Sequence, residues 1–316
     1  MSQLTNDISS ALWAKDAAKA AQLLEGHCAD ELMVYPNVPL LVHACDIPKL
    51  TRECLDVVLK HTRDVNIADY RGQTGLMTAA VAENAKLVRR MLSAGADVQL
   101  RDREGRNVLH LAVLVSQPNP DLLRVLMDAG ASPASINNSG ETPLHLVARV
   151  GHLPTIRLLL QRHALVNAAS KQGRTALHHA AEGGKYDVCQ HLIQSGAVVD
   201  IADAEGWTPL LVSIALWKYP AAQVLLASGA SANARLKPDA HTFGGATALQ
   251  LALGQFDGWL RDERDPKRAF DRDFFTALVR AGADLNARLP DGKSLASLAG
   301  NDGYALEFLR QHGVTD

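Results

Sequence analysis

The chain repeats one pattern of glycine, small polar and apolar positions at intervals near 33 residues. Seven glycines each stand two residues before a serine, threonine or asparagine, and those polar residues are spaced by 33, 35, 33, 33, 39 and 47 residues. They are Thr74, Asn107, Thr142, Thr175, Thr208, Thr247 and Ser294, and a less regular copy begins at Val38. Because these side chains accept hydrogen bonds from free N–H groups at a helix start, each predicts a helix N-terminus.

The apolar positions after each cap predict a pair of short helices. Leucine stands two residues after six of the caps, and a small residue stands five after them in most copies, which lets neighbouring helices approach closely. A second helix follows with an apolar pair such as Leu192-Ile193, and it ends at a glycine such as Gly196, the residue favoured just past a helix end. About 12 residues then lead to the next cap, which predicts a hairpin with a glycine turn. One such unit cannot bury its apolar face alone, so the units must stack.

Several segments resemble the Thr-Pro-Leu-His-x-Ala signature of the ankyrin repeat. The segments are Glu141 to Leu146, Gly173 to Ala181, Asn107 to Ala112 and Gly206 to Leu210, and the resemblance covers residues 38–313. It implies an all-α ankyrin-repeat solenoid of about nine stacked helix pairs with β-hairpin loops. The match is imperfect at His163, which replaces a closing glycine, and at Gly75, which replaces the signature proline.

We expect one ankyrin-repeat domain over residues 1–316. Residues 1–37 form an N-terminal cap, residues 38–293 form the repeats, and residues 294–316 form a C-terminal cap. Two departures from the period predict insertions near 235–246, where a hairpin is lengthened, and near 255–270, between the helices of one unit. Insertions in repeat arrays map to loops and often to binding faces.

The resemblance implies a concave binding surface made of hairpin tips and first-helix faces. Seven residues after the caps, its outward positions are Val81, Leu114, Arg149, Glu182 and Ala215. Tryptophan, tyrosine and arginine dominate interface hot spots, so their presence at outward positions is informative. The candidate partner-binding residues are Tyr70, Arg71, Arg103, Arg106, Leu114, Glu141, Arg149, Lys171, Arg174, Glu182, Trp207, Trp217, Tyr219 and Trp259.

The aromatic residues between 207 and 275 have two interpretations. Trp207 at a hairpin tip either binds a partner or packs on Ala240 or Phe243 of the next hairpin. Trp217 and Tyr219 are expected in the loop between two helices, where they either join a partner site or pack the long insertion onto the repeats. The sequence leaves both interpretations open.

Composition and charge exclude several functional classes. The chain has a formal net charge of −2, so no global field favours nucleic acid or an anionic membrane. No apolar run reaches the roughly 18–20 residues that span a bilayer, and the N-terminus lacks the pattern of a secretory signal. The four cysteines form no Cys-x-x-Cys pair, which favours reduced thiols inside a cell. We expect a monomer in the cytoplasm, with a nuclear or secreted-effector location as alternatives.

Candidate chemistry is sparse. His110, His145 and His178 fall at the same place in successive units, about 8–10 Å apart, so they cannot converge on a zinc ion, which needs ligands at about 2.0–2.1 Å. The resemblance implies instead that each steadies the next hairpin. We find no phosphate-binding loop, nucleophile motif or zinc spacing, and therefore expect no cofactor, no metal and no enzymatic activity. A stripe of Arg71, Arg103, Arg106, Lys171 and Arg174 is the only feature that suggests nucleic acid, and the charge balance argues against it.

The sequence therefore predicts a non-catalytic scaffold, adaptor or inhibitor that binds a protein partner. The alternative is a bacterial effector-type ankyrin protein that engages a host protein.

Overall fold

The computed structural model describes residues 3–34, 38–240, 244–253, 271–300 and 302–314. Within these ranges the chain forms nine pairs of short helices, as predicted. The first helix of each pair is, in order, α1 (Gln3–Trp13), α3 (Leu40–Asp46), α5 (Gly75–Val81), α7 (Val108–Ala112), α9 (Pro143–Val150), α11 (Ala176–Glu182), α13 (Pro209–Ala215), α15 (Ala248–Leu253) and α17 (Leu295–Ala299). The second is α2 (Ala17–Leu24), α4 (Arg52–Lys60), α6 (Ala85–Ser93), α8 (Pro120–Asp128), α10 (Leu153–Gln161), α12 (Tyr186–Gln194), α14 (Tyr219–Ala227), α16 (Arg272–Arg280) and α18 (Gly303–Gln311).

Strand structure is limited in the described residues. Strands β1 (Met33–Val34) and β2 (Val38–Pro39) pair antiparallel, and a short 3₁₀ helix precedes them at Ala29–Glu31. The later hairpins contain only single bridges, between Ala68 and Thr74 and between Arg235 and Thr247. The predicted hairpins are therefore present mainly as tight turns.

The predicted caps form because small polar side chains meet free N–H groups. Thr74 accepts from the Met77 N–H at 3.4 Å, and Thr208 accepts from the Leu211 N–H at 3.3 Å. Thr175 differs, since its hydroxyl instead bonds Nδ1 of His178 at 3.0 Å. Losing such a cap typically costs about 1 kcal/mol.

The chain divides into two compact units, Met1–Pro143 with Arg157–Ala164, and Leu144–Ile156 with Leu165–Asp316. The expectation of a single domain stays a prediction. In the first unit α5 packs between α3 and α7, and α4 packs between α2 and α6. In the second unit α13 packs between α11 and α15, and α14 packs between α12 and α16. First helices thus stack on first helices, and second helices on second helices.

Each stack buries a row of leucine, valine and alanine. Leu109 and Leu123 are fully buried in the first unit, as are Leu177 and Leu210 in the second. The terminal pairs bury Leu12 and Phe308, and the N- and C-terminal caps stay a prediction. Burying such a side chain contributes about 1.5–3 kcal/mol, so stacking rather than helix propensity holds these short helices.

The long spacing before Gly282 does not break the stack of the second unit. The Asn233 side chain donates to the Gly282 carbonyl at 2.7 Å and accepts from the Asp284 N–H at 2.7 Å. Asn167 makes the same two bonds, to Gly196 at 3.0 Å and from Val198 at 2.9 Å, across a shorter stretch of chain. Where the first insertion is predicted, the Leu236 N–H donates to the Ala246 carbonyl at 3.1 Å, and residues 241–243 lie outside the described residues. The second insertion, near 255–270, lies outside the described residues.

Candidate protein-binding surface

Several hairpin tips are held by a polar side chain placed three residues before the tip glycine. One carboxylate oxygen of Asp69 accepts from the N–H groups of Arg71 and Gln73 at 2.9 and 2.8 Å, and the Gly72 N–H donates to the Asp69 carbonyl at 2.9 Å. Asp102, Asn137 and Asp203 likewise accept from the N–H groups two and four residues later in the chain. The sequence analysis did not single out these residues, although the spacing of Asp or Asn to glycine is a recognisable turn signal.

Adjacent tips are joined through their main chains. In the first unit the Arg103 N–H donates to the Arg71 carbonyl, and the Asn138 N–H donates to the Glu104 carbonyl, both at 2.9 Å. In the second unit the Ala204 N–H donates to the Gln172 carbonyl at 2.9 Å. These bonds fix the spacing of successive tips, so their outward side chains stand on a rigid frame.

The histidine row has the structural role that the resemblance implied. Nε2 of His110 donates to the Glu141 carbonyl at 3.0 Å, and Nε2 of His178 donates to the Trp207 carbonyl at 2.9 Å. Nδ1 of each ring then accepts from the N–H of the residue that caps its own helix, at 3.2 and 3.0 Å. Burial lowers the pKa of both histidines, so both rings are held neutral.

Six of the predicted residues are exposed to solvent. In the first unit they are Tyr70, Arg71, Arg103 and Leu114, and in the second they are Arg149 and Lys171. Nε of Arg71 donates to the Tyr70 hydroxyl at 2.8 Å, and its guanidinium lies 5.2 Å from the centre of that ring.

The prediction that every tip side chain faces solvent is wrong for Arg106 and Arg174. The Arg106 side chain is 20% exposed and pairs with Asp102 at 2.8 Å and Glu104 at 2.9 Å. The Arg174 side chain is 24% exposed and pairs with Glu182 at 3.1 Å. Arginine is long enough to fold back over its own tip, and the nearby carboxylates make that position favourable.

Other predicted outward positions are also taken up by the fold. Arg174 also pairs with Asp203 at 3.2 Å, and the Glu182 side chain is 30% exposed. Glu141 is half-buried, and its carboxylate accepts from the Asn137 side chain at 2.9 Å. Ala215, expected to face outward, is 7% exposed, because it lies within the buried helix α13.

The predicted aromatic residues are packed to different degrees. Trp207 is half-buried, and its Nε1 donates to Glu205 at 3.3 Å. Tyr219 is not in a loop but begins α14, and its ring stacks on Phe274 at 4.3 Å. Trp217 lies 5.9 Å from the Tyr219 ring and has φ +59, a value that glycine usually supplies. Trp259 lies outside the described residues, as does the Phe243 packing partner proposed for Trp207.

His179 is a buried histidine at a position where several other repeats have leucine, such as Leu111 and Leu146. It is 5% exposed, and its ring lies 5.5 Å from His145, edge to face. Burial lowers its pKa to about 3, assisted by the positive fields of His145, Arg174 and Arg149. The described residues contain no group of three or more side chains placed to hold a metal.

All four cysteines are free thiols. Burial raises the pKa of Cys45 and of Cys189 to about 12, so both are unreactive.

No helix in the described ranges is long and apolar enough to cross a bilayer, which needs about 20 apolar residues.

Comparison with known proteins places these features in context. The family described as ankyrin repeats (3 copies) matches residues 40–135, 114–203 and 167–236. The nuclear factor NF-kappa-B p105 subunit of Gallus gallus is 32% identical over 125 residues, which are 38% of this chain and 12% of that protein. The B-cell lymphoma 3 protein of Homo sapiens is 32% identical over 111 residues, 34% of this chain and 24% of that protein. Its Mus musculus homolog is 31% identical over the same length. The chain thus matches a quarter or less of each of these relatives.

Proposed function

Because the chain belongs to the ankyrin-repeat family, we propose that it is a non-catalytic scaffold, adaptor or inhibitor that binds a protein partner. The binding surface comprises the hairpin tips and the outward ends of the first helices. The observation that carries this proposal is the main-chain bonding between tips, exemplified by the 2.9 Å bond from the Arg103 N–H to the Arg71 carbonyl.

A fixed frame favours binding because little conformational entropy is lost when a partner docks. The side chains exposed on that frame include Tyr70, Arg71 and Arg103, residue types that are enriched among interface hot spots. The conspicuous histidines support a non-catalytic role, since His110 and His178 use both ring nitrogens to hold the fold.

We also propose that the chain acts as a monomer in the cytoplasm. Four free cysteines support an intracellular location, because disulfides are rare in reducing compartments. The alternative of a bacterial effector gains no support from the relatives described above, which are vertebrate proteins.

Affinity capture tests the proposed function, and Trp207→Ala is the informative single substitution. The Trp207 N–H donates to the Asp203 carboxylate, and the Trp207 carbonyl accepts from the His178 ring. Both hydrogen bonds use main-chain atoms of Trp207, which an alanine at this position retains. We expect the intact chain to retain a protein partner and the variant to lose it, with little change in melting temperature.

Exposed Arg89 on the second helix α6 supplies the control, Arg89→Ala, which should capture the partner as well as the intact chain does. A large fall in the melting temperature of Trp207→Ala would show that this side chain stabilises the fold instead. Failure of the intact chain to retain any protein specifically would contradict the proposed function itself.

A further inference from the structure

The first unit presents two exposed arginines on adjacent tips without internal partners of opposite charge. Arg71 and Arg103 belong to tips joined by a main-chain bond of 2.9 Å. In the described part of the chain neither guanidinium pairs with a carboxylate, and the guanidinium of Arg71 hydrogen-bonds the neighbouring Tyr70 hydroxyl. Side chains on neighbouring tips of a rigid frame can engage one ligand together.

The acidic side chains of these same tips are already engaged. One oxygen of Asp69 holds two N–H groups of its own tip. Asp102 and Glu104 both pair with Arg106 at 2.8 and 2.9 Å. Arg106 thus offsets one of these two charges, while the guanidiniums of Arg71 and Arg103 are the exposed cations of these two tips that pair with no described carboxylate.

A second row of exposed side chains in the same repeats is apolar. Val81 ends α5 and is 44% exposed, and Leu114 follows α7 and is 38% exposed. The two helices pack on each other, so the two side chains belong to neighbouring repeats. Each stands seven residues after the residue that caps its helix.

Resting on the proposed protein-binding function, we infer that this surface recognises an acidic protein segment that also carries apolar side chains. Carboxylates of the partner pair with Arg71 and Arg103, and its apolar side chains cover Val81 and Leu114. Arginine favours carboxylates because its planar guanidinium donates two parallel hydrogen bonds to them. The apolar row adds burial at about 25 cal/mol per Å² of surface removed from water.

The second unit lacks this combination and shows that it is not a general property of the repeat. At the positions equivalent to Val81 and Leu114 it has Arg149, which is exposed but charged, Glu182, which pairs with Arg174, and Ala215, which is buried. Its tip residue Glu205 is exposed and receives the Trp207 ring N–H at 3.3 Å. Recognition of an acidic and apolar segment is thus assigned to the first unit.

Nucleic acid is a poorer match for these arginines. The stripe that the sequence suggested is interrupted, because Arg106 and Arg174 are paired with carboxylates. An exposed valine and leucine offer a phosphate backbone no favourable contact, whereas binding to nucleic acid draws mainly on phosphate contacts. A single-stranded oligonucleotide is therefore one arm of the test below.

The experiment uses the full chain and fluorescence anisotropy with short acetylated peptides. The probes are a Glu/Leu peptide, a Glu/Ser peptide, a Lys/Leu peptide and a single-stranded oligonucleotide of equal length. We expect the Glu/Leu peptide to bind most tightly and its affinity to fall as salt is raised, since salt screens exposed charges. Tighter binding of the oligonucleotide or of the Lys/Leu peptide would overturn the inference.

Two charge-reversal variants locate the site. Arg71→Glu/Arg103→Glu should weaken Glu/Leu binding at least tenfold, whereas Lys86→Glu/Arg89→Glu makes the same change in charge at exposed positions of α6 and should leave it unchanged. Equal weakening by both variants would show a diffuse charge effect and refute the assignment. Circular dichroism melting curves check that each variant is folded.

A third variant separates the apolar row from the charges. Val81→Ser/Leu114→Ser removes exposed apolar side chains without changing charge, and it should bring the affinity for the Glu/Leu peptide down to that for the Glu/Ser peptide. Unchanged affinity in this variant would refute the apolar part. If the partner captured by the intact chain still binds Arg71→Glu/Arg103→Glu normally, this inference fails while the proposed function stands.

Discussion

Replacing His179 with leucine should remove a pH-dependent weakness from the second unit. Other repeats carry Leu111, Leu146 and Leu251 at the equivalent position, each no more than 5% exposed. His179 is also 5% exposed, so the substitution places leucine at a position where Leu111, Leu146 and Leu251 are already buried. The change is therefore compatible with the packing of a first helix.

The magnitude follows from the lowered pKa of His179. The pKa is about 3 in the folded chain, against 6.5 for an ordinary histidine. Below pH 6.5 the unfolded chain binds a proton that the folded chain does not, so the stability of the folded chain falls as pH falls toward 3. Between pH 6.5 and pH 3, each pH unit lowers the free energy of unfolding by about 1.4 kcal/mol, which gives a loss of about 2 kcal/mol by pH 5.

Urea titrations of the wild-type chain and of His179→Leu, from pH 8 to pH 5, measure this effect. The difference in free energy of unfolding between the two proteins should be constant above pH 6.5. Below it, the difference should grow in favour of the leucine variant by about 1.4 kcal/mol per pH unit. Exposed His27→Leu is the matched control and should give a curve parallel to the wild type. Parallel curves for His179→Leu would refute the reasoning.

Two further substitutions test the tips. Gly105 has φ +75, and a Cβ there would lie 2.8 Å from the main-chain nitrogen of Asn138, whereas Gly95 has φ +90 and open space around it. Gly105→Ala should therefore destabilise the chain by about 1–3 kcal/mol more than Gly95→Ala, as measured by urea unfolding, and equal losses would contradict the close approach. His178→Ala removes one of two donors to the Trp207 carbonyl, which keeps the Asp203 N–H at 2.8 Å, and it leaves the buried Thr175 N–H without its Nδ1 acceptor. It should cost about 1–3 kcal/mol in the same assay, and a smaller loss would show that another group replaces the ring.

The repeat architecture could be predicted because its signals are local. A cap such as Thr74 and a closing glycine such as Gly95 act within a few residues, and their recurrence near 33 residues confirms each copy. Stacking then follows because a single pair cannot cover its apolar face. The tip-locking role of Asp69 also had a local signal, which the analysis did not use.

The candidate site could be predicted only in part, because it depends on which arginine side chains form ion pairs with carboxylates of the same chain. Whether an arginine is available depends on carboxylates that approach from elsewhere in the chain. Arg106 is taken up by a residue four positions earlier, and Arg174 by Asp203, which is 29 positions later. Arg71 and Arg103 also lie on hairpin tips near acidic residues, yet their side chains remain exposed. Position in the repeat predicts which side chains can face outward, and only coordinates show which do.

The pair of hydrogen bonds made by the Asn233 side chain has a consequence for how the sequence of this array can evolve. It joins residues 49 positions apart, where Asn167 joins residues 29 apart, and the two contacts have nearly the same geometry. Closing the longer connection costs only about half a kcal/mol more in chain entropy. Extra sequence can therefore accumulate between these anchor points at little thermodynamic penalty, which leaves that connection open to diversification while the neighbouring repeats stay constrained.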